Sequence, residues 1–503
     1  MAHTDIQFID SHGDMKQLKR RFHPESTMRY KVKGINELLE KEYELLKKII
    51  AHHKARQVPR IRELYDYARA NNHTIANGTR RKETDMSDAR AIHDFGGTIS
   101  TFKQGYLTGI PIRVEYVDQS TRDAATSNVD DQLDKIGVEN DFYALNRNLV
   151  KDLSQVGRAY DVVYREKSDK TKIRRLDPEK AFVIYDMTLD EHSVAGVYYY
   201  PATQFGDDDT AEHIELYTDT HVHYLELKGE KITELKVSQE HSFGDVQITE
   251  YLNNTEGIGD YEKVLSIIDL YDAAQSDTAN YMTDLSDAIL AIFGTIDFPA
   301  GLSADEQIEH MRKMRQARLM IFEPPTTNDG AAAGDIDARY LVKEYDVAGT
   351  EAYKDRLQKN ITQFTFTPDL TDEKFSGNSS GESLKYKLFG LELEGDNTQT
   401  LFKRCLQRRY ELIATVGLIA QEISEFDKTK LKITFTPKLP KSLTETIENF
   451  EKLGGEISNE TAMRITNIVE KPEAELENLA NQSNKLSDFQ RRLREAEKLT
   501  DAA

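Results

Sequence analysis

The chain has 503 residues, room for about three average domains at roughly 150 residues each, with 30% charged residues, 38% apolar residues and no tryptophan. Its longest apolar run, Leu412–Ala420, falls far short of the ~20 residues a bilayer helix needs, and the N-terminus lacks the apolar centre of a signal peptide, so the chain reads as soluble and not exported. The formal charge of −21, from 66 Lys and Arg against 87 Asp and Glu, argues against a tight grip on nucleic acid, which rests on phosphate neutralisation, while leaving passing contact open. A single cysteine, Cys405, rules out an internal disulfide; it stands in a helical pattern where a small buried residue is expected, with no base partner that would make it reactive.

Apolar residues recur at helical spacing from Ile35 to Ile50, with Lys and Glu on the outer face, and Pro59 starts a second helix through Tyr67. A polar stretch with an Asn77-Gly78 turn signal precedes a helix expected over roughly Ser87 to Gly105. A strand entered past Gly109 and Pro111 follows, then a helix over Asp141 to Leu153. Between Ala159 and Val237, short runs rich in Val, Ile and Tyr alternate with turn residues, which predicts an antiparallel sheet region with a hairpin loop at Lys228–Lys231.

From Asp260 to Leu290 the pattern turns helical, ~45 Å at 1.5 Å per residue, with unusually many Asp, Ser and Thr. A strand, a helix capped by Ser303, a strand, a loose loop and another strand then make a compact α/β insertion, and Thr350 to about Phe364 runs back as a second helix. Beyond the polar stretch Pro368–Ser380 a very long helix extends to about Ile423, with a kink expected near Gly390 and Gly395. One more strand, "LKITFTP", precedes a charged helical tail from Ser442, where Ser458 is a cap and Pro472 a break. The fold class is α+β.

Gly377, Ser379 and Gly381 spell Gly-x-Ser-x-Gly, the nucleophile-elbow pattern. An elbow needs a buried strand running into the turn; "PDLTDEKF" is polar, and Glu382, three residues after Ser379, makes a capping box instead. Ser379 is thus read as a helix cap on a loop of glycines and small polar residues, and a serine hydrolase is kept as an alternative. His221 and His223 would share one face of a strand, as two metal ligands must, but no third ligand stands nearby, and the acidic run at 206–210 lacks other oxygen ligands. No metal and no cofactor are expected. His310, Arg312, Lys313, Arg315 and Arg318 make the insertion basic, either as a solvated helix face or as a surface that docks a partner or faces DNA. Lys354, Arg356 and Lys359 on the returning helix raise the same two readings, and no Walker-type glycine loop is present in the chain.

Several segments in this order, "GGTISTFKQGYLTGIPIRV", "NLVKDLSQVGRAYDVVYREK", "IRRLDPEKAFVIYDMT", "IELYTDTHVHYLE", "VLSIIDLYDAAQSDTANYMTDLSDAIL" and "GGEISNETAMRI", resemble the portal proteins of long-tailed phages of Gram-positive hosts. The likeness spans about residues 70 to 480. It implies a non-enzymatic ring of about twelve identical subunits at one capsid vertex, a channel for double-stranded DNA in packaging and ejection, and docking of terminase, major capsid, scaffolding and head-completion (adaptor) proteins. It implies location in the virion, with assembly in the host cytoplasm and no membrane partner.

Carried onto this chain, residues 1–259 resemble the wing, 260–288 and 348–367 the stem helices, and 289–347 the clip. Residues 368–381 resemble the tunnel loop, 382–441 the long kinked helix with a wing strand, and 442–503 the crown. The resemblance would place Asp372, Lys374, Phe375, Asn378, Ser379 and Ser380 against DNA, Lys354, Arg356 and Lys359 in the stem or channel, and the basic cluster from His310 to Arg318 in the clip. Another oligomeric structural virion protein is the nearer alternative.

Overall fold

The structure is a computed structural model that describes residues 7–9, 15–17, 20–77, 87–116, 128–203, 211–284, 289–293, 295–296, 301–316, 322–323, 337–341, 346–369, 381–438, 457–466, 475–476 and 478–480. It is a mixed α and β chain that divides into two compact units, the first made of Met1–Arg69, Gly96–Lys263 and Thr365–Ala503, the second of Ala70–Phe95 and Val264–Phe364. In chain order the elements begin with β1 (Gln7–Ile9), β2 (Met15–Gln17), β3 (Tyr30–Val32), α1 (Asn36–Leu39), α2 (Glu44–His52), α3 (Val58–Tyr67), α4 (His73–Ala76) and α5 (Phe95–Thr108). They continue with β4 (Arg113–Tyr116), α6 (Asn128–Glu139), α7 (Phe142–Val156), β5 (Arg158–Arg165), β6 (Thr171–Leu176), β7 (Ala181–Asp186), β8 (Ser193–Pro201), β9 (Glu212–Tyr217), β10 (His221–Lys228), β11 (Lys231–Glu240) and β12 (Ile248–Leu252). The second half holds α8 (Leu265–Asp284), β13 (Ile289–Phe293), β14 (Thr295–Ile296), α9 (Ala304–Gln316), β15 (Phe322–Glu323), β16 (Asp337–Leu341), α10 (Val347–Phe364), α11 (Gly381–Ile419), β17 (Leu431–Thr434) and α12 (Asn459–Thr466).

In the first unit β7 to β11 form an antiparallel meander, to which β3 adds in parallel beside β7. The β10–β11 turn falls at the expected loop: Lys228 pairs with Lys231, and Gly229 takes a φ of +61°, a left-handed conformation open to a residue without Cβ. The strand-rich stretch is shared between two sheets, because β5 pairs with β6 on one side and with β12 on the other. Tyr160, Val162, Val183, Tyr185, Val222 and Ile248 fill the space where the two sheets face each other. Gly196 is needed there, since a Cβ on it would stand 2.8 Å from Ile248 Cβ.

α7 starts at Asp141, whose side chain accepts the Ala144 N–H, and stops at Gly157 with a φ of +81°. Its buried face, Leu149 and Leu153, joins Val163, Tyr251, Phe402, Leu406 and Ile413 in the main core, so α7 and α11 enclose the three-stranded sheet. On α11 the stripe formed by Phe402, Leu406 and Ile413 also contains Arg409, which has no exposed surface. Its Nε donates to Asp161 at 2.6 Å, its Nη1 to Asn146 at 2.8 Å, and Tyr251 donates its hydroxyl to the same Asp161 oxygen at 2.8 Å. Arg408 ties the same turn to Asp245 at 2.5 Å and to the Val246 carbonyl at 2.8 Å.

The second unit pairs α8 with α10 through Leu265, Ile268, Leu357 and Ile361, all buried. Between these helices in sequence come β13 paired with β16, β14 paired with β15, and α9. Ser303 and Glu306 make a reciprocal cap at the start of α9, with the Ser303 N–H donating to Glu306 at 2.8 Å. The helix expected from Ser87 begins only at Phe95. Residues 87–94 stay out of helix instead, for a reason that lies in the partner they meet.

Removing one member of a buried ion pair strands the other. Arg409→Met should therefore lower unfolding free energy by about 3–5 kcal/mol, and the double change Arg409→Met with Asp161→Leu should recover most of it in urea titrations. A double variant as unstable as the single one would mean that the pair is not what holds this turn.

Candidate functional site

The residues singled out in the sequence fall into three groups. Asp372, Lys374, Phe375, Asn378, Ser379, Ser380 and Arg318 lie outside the described residues. In α9, Arg312 reaches Glu309 at 3.8 Å with 70% of its side chain exposed, Lys313 is exposed and His310 is half-buried, and Arg315 shares the helix. The Ser303 hydroxyl and N–H hold the Glu306 carboxyl below its usual range.

On α10, Lys354 differs from its neighbours. It is buried, its ammonium 3.0 Å from Gln275 and 2.6 Å from Glu351, so it braces α10 against α8. Arg356 and Lys359 are exposed. His221 and His223 do share a face, with rings 6.1 Å apart, and His223 is pushed below its usual pKa by burial and by its neighbour. Among the described residues no group of three metal-ligating side chains comes together. The Cys405 thiol donates to the Glu250 carbonyl at 3.2 Å and is pushed up to about 12 by burial and by Asp161 and Glu250.

The polar residues along α8, where Asp, Ser and Thr are unusually many, have a structural use. Asp272, Ser276 and Asn280 stand four residues apart on one buried face. They accept the backbone N–H groups of His93 at 3.1 Å, Ala91 at 2.9 Å and Ala89 at 2.5 Å. Four helical residues advance ~6 Å and two extended residues ~6.6 Å, so an extended segment laid antiparallel to the helix meets one acceptor at every second N–H. Asp272 also takes the His93 ring at 2.7 Å, and Asn72, which caps α4 through the Thr74 N–H, donates to Asp269 and Asp272 at 2.9 Å each. Residues 87–94 stay out of helix where the amides of Ala89, Ala91 and His93 bond to α8 and not to their own carbonyls. Sequence reading missed this strap; the sign available was polar residues recurring every four along a helix that also has to pack.

A long helix and a returning helix that bracket a small α/β module, in a chain whose other unit is a mixed α/β body, define a structural building block. A model of the family described as "Phage portal protein, SPP1 Gp6-like" matches residues 47–487, and the chain belongs to that family. Its relatives include a portal protein of Bacillus phage SPP1, 21% identical over 82% of this chain and 80% of the relative. Another is a portal protein of Clostridium phage phiCD119, 22% identical over 80% of this chain and 87% of the relative.

Similar solved structures include "Neck of empty GTA particle computed with C6 symmetry", at a TM-score of 0.42 and 13% identity, covering 74% of this chain and 90% of that one. A second is "Neck of native GTA particle computed with C12 symmetry", at 0.40 and 12%, covering 81% and 93%. The function is that of a portal protein, a structural component of the virion, and the conduit and docking roles follow from the family. Among the described residues no helix is long and apolar enough to cross a membrane.

If the ladder on α8 holds the strap, Asn280→Ala should speed amide exchange at Ala89 roughly five- to tenfold, the counterpart of a bond worth ~1 kcal/mol, with no change at Val183. Unchanged exchange at Ala89 would show that the strap is held by something else.

Proposed function

We propose that this chain assembles as a ring of about twelve copies at one capsid vertex and conducts double-stranded DNA through a central channel. In this assignment residues 260–288 and 348–367 are the stem, 289–347 the clip, 368–381 the tunnel loop, 382–441 the long kinked helix beside the channel with a wing strand, 442–503 the crown and 1–259 the wing. The observation that carries it is the order helix, α/β module, helix in a chain that matches the portal family over residues 47–487. Staves of this kind suit a ring in which each subunit meets two neighbours through different faces.

The acidic balance of −21 supports passage over capture: a conduit works through weak, repeated phosphate contacts. Asp372, Lys374, Phe375, Asn378, Ser379 and Ser380 are assigned to the DNA-facing loop, with Ser379 a loop residue and not a nucleophile. Arg356 and Lys359, being exposed, are assigned to the lumen or a neighbouring stem, while the engagement of Lys354 with Gln275 and Glu351 favours a bracing role. His310, Arg312, Lys313, Arg315 and Arg318 are assigned to docking of the separate terminase and head-completion proteins at the clip. The subunit itself performs no catalysis, and it meets capsid and scaffolding proteins in the host cytoplasm during assembly.

Top-view electron micrographs of the purified protein should show rings with a hole wide enough for duplex DNA; a stable monomer would overturn the assignment. Shortening Gly377–Gly381 should spare those rings and block DNA packaging, and normal packaging would remove the loop's role.

A further inference from the structure

In the first unit one face of the β7–β11 meander is only partly covered. The three-stranded sheet packs on it over Tyr217 and Val222 and leaves Tyr198 and Tyr224 at the margin. There the strand register sets up a row across the sheet. Tyr198 on β8 stands directly opposite Glu215 on β9, Glu215 opposite Tyr224 on β10, and Tyr224 opposite Lys236 on β11. Directly opposed residues share one side of a sheet. Tyr200, two residues along β8, is on that side too, its ring 5.2 Å from that of Tyr198. Tyr198, Tyr200, Glu215 and Tyr224 are half-buried and Lys236 is exposed. The conduit role assigns nothing to any of them.

The partners of Glu215 are hydroxyls. Tyr200 donates to its Oε1 at 3.1 Å and Tyr217 donates to its Oε2. Burial and Glu215 push Tyr200 up to about 12, so this hydroxyl keeps its proton near neutral pH. Among the described residues no lysine, arginine or histidine pairs with Glu215, and His213, the next residue of β9 on this side, turns to Glu226 at 3.9 Å. A carboxylate offers about four lone-pair positions. One tyrosine bond on each oxygen leaves each oxygen able to accept again, which is the acceptor pattern for a fork of two parallel N–H groups. The rings beside it have negative faces, and one face is already in use: the Lys236 ammonium lies 3.3 Å from the centre of the Tyr224 ring. The patch thus holds one cation on a ring and none on its central carboxylate.

We propose that this row is a docking site for an arginine side chain of a basic partner protein, the guanidinium bonding Glu215 and stacking on Tyr198 and Tyr200. The guanidinium is planar, so it lies against aromatic faces, and its fixed fork of N–H groups matches a carboxylate. A quaternary ammonium has no N–H for Glu215, and a lysine ammonium is a point charge without the fork. Net charge decides the occupant. A second copy of the chain also carries −21 and is repelled, whereas a basic protein is drawn in. The inference does not depend on the ring.

The probe is fluorescein-labelled hexa-arginine, followed by anisotropy against the full chain in about 0.15 M salt, where exposed charges more than ~8 Å apart are largely screened. Hexa-lysine is the control of equal charge. Glu215→Gln should weaken hexa-arginine binding about tenfold, the loss of a charge-assisted pair, and hexa-lysine binding far less. Tyr198→Leu, which leaves the carboxylate in place, should weaken hexa-arginine about threefold and serves if the first variant fails to fold. Glu230→Gln, at a side chain 97% exposed in the β10–β11 turn, should change nothing. Equal affinity of Glu215→Gln and the unaltered chain, or hexa-lysine bound as tightly as hexa-arginine, would overturn the proposal. Self-association in sedimentation velocity, without peptide, that is lost in Glu215→Gln would also overturn it and would assign the row to a second copy.

Discussion

A helix with hydrogen-bonding side chains on a packed face is stable only if something supplies their partners, since a buried unsatisfied group costs about 1–3 kcal/mol. Both long-helix systems of this protein are organised by that constraint. In the second unit α8 turns Asp272, Ser276 and Asn280 inward, and Ala89, Ala91 and His93 give them backbone donors. The helix thereby acts as one edge of a sheet made from side chains. In the first unit α11 turns Arg409 inward, where Asp161 on β5 and Asn146 on α7 supply the acceptors, and the part-exposed Arg408 meets Asp245 and the Val246 carbonyl just before β12. Hydrophobic burial fixes that these helices pack; the polar pairs fix their rotation and register, because a slip of one residue would strand every partner at once.

Much of this was legible in the residues, and the boundary of legibility is physical. Local signals held where the determining atoms are close in sequence: the Lys228–Lys231 hairpin loop, the Ser303 cap, and the helix that starts at Asp141. They did not hold for residues 87–94, whose helical pattern is overridden by acceptors nearly two hundred residues away on α8. Nor did they divide the strands between two sheets, which follows from the pairing of β5 with the distant β12. Arg409 was detectable in principle, as an arginine in register with Phe402, Leu406 and Ile413, yet the sequence names no partner for it. The order of helix, module and helix was plain, while the loop and Arg318 lie outside the described residues.

Internal pairing also shapes the electrostatics that a DNA conduit presents. Lys103 with Asp260 and Arg409 with Asp161 are buried pairs in the first unit, the buried Arg60 meets Glu262, and the buried Glu250 takes both Arg158 and Arg29. Pairing cations with carboxylates in the interior leaves the net charge of −21 unchanged and takes those cations off the surface. Counterion release on DNA scales with the Lys and Arg that reach phosphate. Every arginine committed to the interior weakens capture further, which favours a surface that DNA passes over one to which it binds.

The glycines of α11 bear on the same question of what a long helix beside a channel must accommodate. Glycine inside a helix costs ~1 kcal/mol relative to alanine, and Gly390 and Gly395 invite the expectation of a kink. Both lie within the single helix Gly381–Ile419. A Cβ at Gly390 would stand 2.5 Å from Phe366, and one at Gly395 would stand 3.2 Å from Leu107 and 3.3 Å from Tyr106. Close approach therefore accounts for both positions: the helix gives up intrinsic stability at two points so that Phe366 and the end of α5 can press against its backbone. The penalty is offset by contact made only in the folded unit, which makes the seating of α11 conditional on its neighbours more than on its own propensity.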